Sequence, residues 1–311
     1  MSLREKRKKT NNFGISTAWN AKKHKSGIDI INELKALGFN KVELNVFLTE
    51  ENLIEIYENL DDLNVEIVSL HNFCPMPEKI PEGRTVHRAY EISSPDEDER
   101  REAIRLTKKT IDWAKRFGAK YIVLHAGTIP TSYSPRAMYE RYIEGKLDEF
   151  FFLRERIMEE RKEKGKKYLE NTIKSMEEIS EYVAKNGIFI GLENRFYPNE
   201  IPNYEEIGDF LNKFKGVVKY WHDIGHAEIW QTLGYGGTHE EFLRYNPEGV
   251  HIHDVVGAID HHAPGEGYVD FKRIFSYLSN DVNKVLEVHP KVSEDKLRSG
   301  YKYLEMLEEE I

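Results

Sequence analysis

Residues 188–227 read IFIGLENRFYPNEIPNYEEIGDFLNKFKGVVKYWHDIGHA and contain one strand–helix–strand unit. Two apolar runs, Ile188–Arg195 and Val218–Ala227, flank a segment of helical period at Tyr204–Phe214. Short apolar runs that alternate with helical segments are typical of βα units in a parallel sheet. The same unit recurs along the rest of the chain, and the number of copies decides the fold.

The pattern predicts eight strands, each followed by a helix. A parallel sheet needs helices over its outer face and right-handed crossovers, so eight βα units close most economically into a barrel. We therefore predict an α/β fold, a (β/α)8 TIM barrel. The predicted strands are Phe13–Trp19, Lys41–Phe47, Val65–Phe73, Tyr121–Gly127, Ile188–Arg195, Val218–Ala227, Val250–Val256 and Lys284–Pro290. The predicted helices are Ile28–Leu37, Glu50–Leu60, Glu97–Phe117, Tyr168–Lys185, Tyr204–Phe214, His239–Tyr245, Phe271–Leu278 and Glu294–Leu307.

One long segment, residues 128–167, interrupts this rhythm between the fourth strand and its helix. It is rich in aromatic and charged residues, which predicts a helical insertion that serves as a lid, a dimer contact or a peripheral decoration. An open doubly wound sheet is the alternative fold. Such a sheet usually has a Gly-rich phosphate loop after its first strand, and residues 20–27 lack that pattern.

Composition excludes several classes of protein. The chain has 311 residues, 45 Lys and Arg against 54 Asp and Glu, and a formal net charge of −9. The single cysteine, Cys74, excludes an internal disulfide framework, so we expect a cytoplasmic protein. No apolar run approaches the roughly 20 residues that span a bilayer. The acidic balance makes nucleic acid an unexpected partner. We predict a disordered basic tail over residues 1–12 and one barrel domain over residues 13–311.

Six consecutive predicted strands, the third to the eighth, end in a histidine or an acidic residue. The residues at these ends are His71, His125, Glu193, Asp223, His251, His253, Asp254, Glu287 and His289. The carboxyl ends of barrel strands meet on one rim, where catalytic side chains lie. Carboxylates and imidazoles crowded there are stabilised by a cation. A combination of imidazole and carboxylate ligands favours zinc, manganese, iron or cobalt over magnesium or calcium.

The ends of strands five to seven carry motifs in a distinctive order: Leu192-Glu193-Asn194, Asp223-x-x-His226 and His251-x-x-Asp254, followed by the loop His261-His262-Ala-Pro-Gly-Glu-Gly267. With these motifs the chain resembles the xylose isomerase-like barrel superfamily. That superfamily contains sugar-phosphate isomerases, tagatose epimerase-type enzymes, inosose dehydratases and endonuclease IV. The resemblance extends from Phe13 to Leu307, apart from the insertion.

The resemblance implies specific site residues. By analogy with the one-metal epimerases, Glu193, Asp223, His251 and Glu287 would bind the metal, with His253 as the alternative to His251. By analogy with the trinuclear zinc site of endonuclease IV, four further histidines would contribute ligands or contact substrate: His71, His125, His226 and His261. The aspartate expected two residues before His261 is replaced by Ile259, and Asp260 is out of phase by one residue. We therefore expect one or two ions rather than three.

These residues predict a metal-dependent sugar or sugar-phosphate isomerase or epimerase that works through an enediolate. Glu193 and Glu287 would exchange protons with the substrate, while Arg195 or His261 would neutralise the enediolate or a substrate phosphate. Trp19 and Trp230 are candidate walls of the sugar pocket. We expect a small carbohydrate as partner, no membrane and a possible homo-oligomer. The alternative is an apurinic/apyrimidinic endonuclease of the endonuclease IV type. A polyol dehydratase or a barrel without turnover also fits these residues.

Overall fold

Eight parallel strands form a closed barrel in the computed structural model, which describes residues 12–310. Each strand pairs with its sequence neighbours, and β8 pairs with β1 to close the ring. This confirms the predicted (β/α)8 TIM barrel. The strands are β1 (Phe13–Ser16), β2 (Lys41–Leu44), β3 (Glu66–His71), β4 (Tyr121–Leu124), β5 (Phe189–Glu193), β6 (Val218–Asp223), β7 (Gly249–Ile252) and β8 (Asn283–Leu286).

Eleven α-helices cover the outer face of the barrel and form its insertion within the described residues. They are α1 (Gly27–Ala36), α2 (Glu50–Glu58), α3 (Leu60–Leu63), α4 (Glu97–Phe117), α5 (Pro135–Ile143), α6 (Leu147–Asn186), α7 (Tyr204–Lys213), α8 (Ile224–Leu233), α9 (His239–Leu243), α10 (Phe271–Phe275) and α11 (Glu294–Glu310). Several begin at side-chain caps, as at Ser26, Thr49 and Asp96. In residues 12–310, no helix combines the length and the apolar character needed to cross a membrane.

The helix after β4 differs from the sequence expectation. It begins at Leu147 rather than at Tyr168 and runs for 40 residues without a break. The segment has no proline and is dominated by residues that favour helices, so nothing ends the helix where the insertion joins the barrel wall. The inserted residues form α5 and the first half of α6. Of the tail predicted over residues 1–12, all but Asn12 lies outside the described residues.

The indole of Trp221 fills the barrel interior below the rim. It packs with the buried side chains of Val123 and Val285. Two glycines on the neighbouring strands make room for it: a Cβ on Gly249 would lie 2.3 Å from the Trp221 ring, and one on Gly191 would lie 2.9 Å from it. Because alternate residues of a strand point inward, the next inward residue of β6 after Trp221 is Asp223. Trp221 is therefore the apolar floor beneath the polar rim.

A methyl group at Gly249 should disturb this floor. We expect Gly249→Ala to lower the free energy of unfolding by about 1–3 kcal/mol, because the ring and backbone must move apart. Gly165→Ala is the matched control. In α6 its Cβ would meet only Ile129 Cδ1, at 3.4 Å, so this change should raise stability by about 0.5–1 kcal/mol. Urea unfolding measures both, and equal stability of the two variants would contradict the proposed fit around Trp221.

Candidate metal centre

Glu193, the last residue of β5, is the centre of the polar rim. Its Oε1 lies 2.8 Å from His251 Nδ1, and its Oε2 lies 2.6 Å from His125 Nε2 and 3.6 Å from His71 Nε2. The side chain is 1% exposed. Burial alone would raise the pKa of Glu193, but the imidazoles of His125 and His251 outweigh it and hold the pKa well below its usual range. The carboxylate is therefore ionised and ready to bind a cation.

The four residues that the resemblance implies as metal ligands converge. Glu193, Asp223, His251 and Glu287 each offer one donor atom, and these atoms lie within 4.8 Å of one another. His251 Nδ1 is 3.2 Å from Glu287 Oε2 and 3.8 Å from Asp223 Oδ2. Three carboxylate oxygens and one imidazole nitrogen form a donor set that suits zinc, manganese, iron or cobalt. The residues present thus fit a divalent cation.

Glu43 of β2 holds the ligand face of His251 in place. Its Oε2 lies 3.0 Å from His251 Nε2 and accepts a hydrogen bond of 2.8 Å from Ser69 Oγ. Burial alone would lower the pKa of His251, but Glu287, Glu43 and Glu193 outweigh it and raise the pKa well above its usual range, so both ring nitrogens are protonated without a metal. With Nε2 donating to Glu43, Nδ1 is the nitrogen that would bind a metal. Histidines that bind metals commonly donate their other ring N–H to a carboxylate in this way. The sequence indicates little about Glu43 beyond its place on the same face of β2 as Asn45. The Nδ2 of Asn45 donates to Glu287 Oε1.

His71, His125 and Glu193 form a second set of donors within 4.8 Å. The Nδ1 of His71 lies 3.3 Å from the backbone oxygen of Asn72, so this nitrogen carries the proton and Nε2 faces the site. Burial lowers the pKa of His125 well below its usual range, and the neighbouring Arg195 lowers it further. A neutral imidazole with a free nitrogen is the form that binds a metal. Glu193 belongs to both sets and can bridge them.

A third set of donors within 4.8 Å contains His226, His253 and His261, and Asp260 lies beside it. Asp260 Oδ2 lies 3.5 Å from His226 Nε2 and 3.6 Å from His261 Nε2. The expectation that Asp260 is out of phase is therefore wrong. The strand pair Asp254–Val256 and Ile259–His262 contains a register shift, and His261 has a φ of 57°, so the chain turns Asp260 inward while Ile259 is 50% exposed. The loop supplies the carboxylate from the neighbouring position.

The Nδ1 atoms of His226 and His261 are both occupied by backbone carbonyls. His226 Nδ1 lies 3.0 Å from Asn194 O, and His261 Nδ1 lies 2.7 Å from Glu287 O. Their Nε2 atoms are therefore the nitrogens available to a ligand. His226 N also donates to Asp223 Oδ1 at 2.7 Å, because Asp223 caps the start of α8. The Asp-x-x-His motif thus places one candidate donor in each of two sets.

His253 supports Asp223. Its Nδ1 accepts the backbone N–H of His261 at 2.9 Å, so the ring proton is on Nε2, which lies 3.0 Å from Asp223 Oδ2. Only glycine fits at position 225, because a Cβ there would lie 2.0 Å from His253 Cε1. The Nε2 of His253 thus donates a hydrogen bond to Asp223. His251 is the strand-seven residue whose Nδ1 faces the carboxylates of Glu193 and Glu287.

Asn194 and Arg195, which follow Glu193, hold two residues of the rim. Asn194 binds the backbone of Asp223, and Arg195 binds the side chain of Glu193. Asn194 Oδ1 accepts the Asp223 backbone N–H at 2.8 Å, and its Nδ2 donates to Asp223 O at 2.9 Å. Arg195 Nη1 donates to Glu193 Oε2 and Nη2 to Glu200 Oε1, each at 3.1 Å. Glu200 was not predicted from the sequence. The positively charged guanidinium of Arg195 thus lies beside Glu193, and the residue is 7% exposed.

The structure does not bring Trp19 and Trp230 into this cluster. Trp19 is 1% exposed and its Nε1 donates to Val292 O, while Lys23 Nζ lies over the ring. Trp230 of α8 is 3% exposed and packs edge-on against Tyr235. Both indoles lie just beyond strands, as the sequence indicates, but they are covered by the loops and helices that follow those strands.

This fold and these strand ends define the class of the protein. A sequence model of the xylose isomerase-like TIM barrel family matches residues 31–305, so the chain belongs to that family. No curated protein sequence matches it.

Solved structures share the architecture at low sequence identity. A D-tagatose 3-epimerase-like protein is 21% identical, with a TM-score of 0.66, over 96% of this chain and 99% of that chain. The TTHB071 protein of Thermus thermophilus, soaked with ZnCl2, is 19% identical, with a TM-score of 0.62, over 96% and 99%. The 3-keto-D-glucoside 4-epimerase of E. coli is 16% identical, with a TM-score of 0.66, over 96% and 100%. These similarities establish the fold.

The charges of the centre predict a pH dependence for the metal-free protein. Burial alone would lower the pKa of His226, but Asp223 and Asp260 outweigh it and raise the pKa to about 9. A histidine whose pKa is raised on folding stabilises the fold at pH values below its pKa in the unfolded chain, about 6.5. This contribution is lost as the pH rises through the pKa that the histidine has in the folded protein. We expect about 3 kcal/mol to be lost between these two pH values.

Urea unfolding in the presence of a chelator measures this loss. His226→Asn should be less stable at low pH and should show a flatter dependence on pH. His24→Asn, in which the altered imidazole lies outside the centre and contacts Glu33, is the control. A wild-type pH profile in the His226→Asn variant would rule out the ion pairing of His226.

Proposed function

We propose that this protein is a divalent-metal-dependent isomerase or epimerase of sugars. The observation that carries the proposal is the convergence of two carboxylates, Glu193 and Glu287, with Asp223 and His251 at one point of the rim. The structural neighbours named as epimerases of D-tagatose type and of 3-keto-D-glucosides support the same class of reaction. Metal binding is part of the proposal.

Glu193, Asp223, His251 and Glu287 would hold the ion. A bound divalent cation supplies Lewis-acid stabilisation of the negative charge that develops on a carbonyl oxygen. Such an ion also removes the electrostatic cost of burying three carboxylates together. The remaining steps depend on side chains of the chain itself.

Glu193 and Glu287 are the proposed proton carriers. They end β5 and follow β8, so they enter the site from different sides of the barrel. One carboxylate takes the proton from a carbon next to the sugar carbonyl, and the other returns a proton to the opposite face, which inverts the centre. Return by the first carboxylate to the neighbouring carbon would instead interconvert an aldose and a ketose. Proton transfer by positioned carboxylates is ordinary general acid–base catalysis.

The surrounding groups would orient the sugar. His71 and His125 present ring nitrogens beside Glu193 and are suited to bind hydroxyl groups. Arg195 places a guanidinium next to Glu193, where it keeps that carboxylate ionised and balances the charge of an enediolate. Asn45 holds Glu287 through Oε1, which leaves Oε2 facing His251. Each proton carrier is thus held by a hydrogen-bond donor.

Isotope exchange tests the proton carriers. With a ketohexose such as D-fructose or D-tagatose in deuterated water, we expect the metal-loaded protein to incorporate deuterium at the carbon next to the carbonyl. Glu193→Gln and Glu287→Gln should each reduce this rate by at least about a hundredfold, because one proton carrier is lost. Glu248→Gln, at the opposite end of the barrel, should exchange normally. Full exchange in either active-site variant would refute the assignment.

Metal affinity tests the role of Glu43. We expect Glu43→Gln to weaken zinc or manganese binding roughly 10- to 100-fold, because the orientation of His251 is lost. Competition with a chromophoric chelator measures the dissociation constant without any substrate. Ser69→Ala, which removes only the hydroxyl that donates to Glu43, should have a smaller effect. Unchanged affinity in Glu43→Gln would show that Glu43 does not position His251.

One observation favours a second candidate, an apurinic/apyrimidinic endonuclease. Three sets of donors lie on the rim, two of them share Glu193, and Asp260 lies 3.5 Å from His226 of the third set, so the residues suit more ions than the sequence indicated. Grouped metals that activate water suit phosphodiester hydrolysis. The net charge of −9 opposes binding to DNA. About three metal ions per chain together with cleavage of an abasic duplex would favour the nuclease, and sugar exchange without cleavage would exclude it.

A further inference from the structure

A chain of four buried polar side chains lies behind the rim, outside the three sets of candidate metal donors. Each member is at most 8% exposed. The members are Tyr220 and His222 of β6, Glu228 of α8 and His239 of α9. Because Asp223 points into the barrel, its neighbour His222 and the next alternate residue, Tyr220, point outward to the helices. Buried polar groups need hydrogen-bond partners, and these side chains find them in one another.

Consecutive members of the chain lie within hydrogen-bond distance. Tyr220 Oη is 2.6 Å from His222 Nδ1, and His222 Nε2 is 3.3 Å from His239 Nδ1. At the outer end, His239 Nε2 is 2.9 Å from Glu228 Oε2. At the inner end, Tyr220 Oη is 3.0 Å from Asn194 Oδ1. The chain therefore runs from α8 and α9, across the outer face of β6, to the end of β5.

Asn194 is the residue through which this chain meets the metal centre. Its side chain accepts the backbone N–H of Asp223 and donates to the backbone oxygen of Asp223, which fixes the orientation of the amide. Its own backbone oxygen lies 3.0 Å from His226 Nδ1. Asn194 thus contacts the carboxylate residue of strand six and a histidine of the third set. A displacement of Asn194 would move both.

The partners at each step favour one direction of hydrogen bonding. Asn194 Oδ1 carries no proton, so Tyr220 is the donor across that contact. His222 Nδ1 then carries a proton and donates to Tyr220 Oη. Burial lowers the pKa of His222 well below its usual range, and His239 lowers it further, so the His222 ring is neutral and its Nε2 accepts from His239 Nδ1.

The outer end of the chain completes this order. One proton must lie between His239 Nε2 and Glu228 Oε2, because two bare acceptors 2.9 Å apart would repel each other. The opposite direction is less favourable at the inner end. If Tyr220 donated to His222, the lone pairs of the phenol oxygen and of Asn194 Oδ1 would face each other at 3.0 Å. The donors of the chain therefore point toward Asn194.

We propose that Tyr220, His222 and His239 are positioning residues of the metal centre, which act through Asn194. The inference rests on the metal-binding part of the proposed function. The chain fixes the side chain of Asn194, and Asn194 holds the backbone of Asp223 and the ring of His226. Residues that hold metal ligands in place commonly change metal affinity without touching the ion. The placement of Asp223 thus depends on helices α8 and α9 as well as on the strands of the barrel.

Metal affinity measures this role without any substrate. We expect Tyr220→Phe to weaken the binding of zinc or cobalt about tenfold, because Asn194 loses the phenol that donates to its Oδ1. Competition with a chromophoric chelator gives the dissociation constant. Tyr245→Phe is the matched control. The Tyr245 ring lies 5.9 Å from that of Tyr220, but its hydroxyl donates to Tyr204 O, so this variant should bind the metal as the wild type does.

The absorption of bound cobalt separates positioning from a loss of stability. Its visible bands report the number and arrangement of the ligands. We expect these bands to change in Tyr220→Phe and to remain unchanged in Tyr245→Phe. Urea unfolding with a chelator present should show that metal-free Tyr220→Phe is folded. If Tyr220→Phe has the affinity and the cobalt bands of the wild type, the proposal is overturned.

Two substitutions at His222 test the direction of the chain. The amide N–H of His222→Asn can replace the Nδ1–H and donate to Tyr220, whereas His222→Leu has no donor. We expect His222→Asn to retain its zinc affinity within about threefold and His222→Leu to lose about tenfold. Equal affinities would contradict the role of His222. If His222→Leu does not fold, the nitrogen-15 shifts of the wild-type ring decide, because a proton on Nε2 instead of Nδ1 would refute the inward direction.

These outcomes are separable from those of the isomerase proposal. If Tyr220→Phe weakens metal binding but the wild type exchanges no deuterium into a ketose, the positioning proposal stands and the isomerase proposal fails. If the wild type exchanges deuterium and Tyr220→Phe binds the metal equally tightly, the isomerase proposal stands and the positioning proposal fails. If the wild type binds neither zinc nor cobalt, both fail.

Discussion

The burial of several carboxylates in a small volume is the constraint on which this structure depends. Unpaired charges in a protein interior are costly, so each one needs a partner. The rim meets this requirement with imidazoles. Four buried acids of the centre each contact a ring: Glu43 and Glu287 share His251, Glu193 contacts His125, and Asp223 contacts His253. The alternation of acids and imidazoles around the barrel creates a group of donor atoms that suits a cation.

Contacts behind the histidine rings decide which nitrogen of each ring faces the buried carboxylates. Backbone carbonyls hold Nδ1 of His71, His226 and His261, whereas Glu43 holds Nε2 of His251. The histidines therefore differ in which ring edge is available, although they lie on one rim. Trp221 beneath them fills the barrel interior and is accommodated by glycines on both adjacent strands. The rigidity of the centre thus originates in the packing of the strands below it.

The fold was predictable because the eight strands and their polar ends are local features of the sequence. Periodicity placed the polar strand ends on one rim, and the family resemblance selected Glu193, Asp223, His251 and Glu287, whose donor atoms lie within 4.8 Å of one another. Asp260 was misjudged because its direction depends on an irregular strand pair, which periodicity does not describe. The start of α6 was misplaced because a helical insertion and a barrel helix merge without a stop signal between them. Glu43 acts through His251, and its role depends on pairing between distant strands.

The long helix α6 has a consequence for how the barrel opens to its surroundings. At about 1.5 Å per residue, its 40 residues form a rod of roughly 60 Å that joins the insertion to the wall behind β5. A rod without a hinge transmits rotation but does not fold back on itself. The inserted region is therefore continuous with the barrel wall through a single helix.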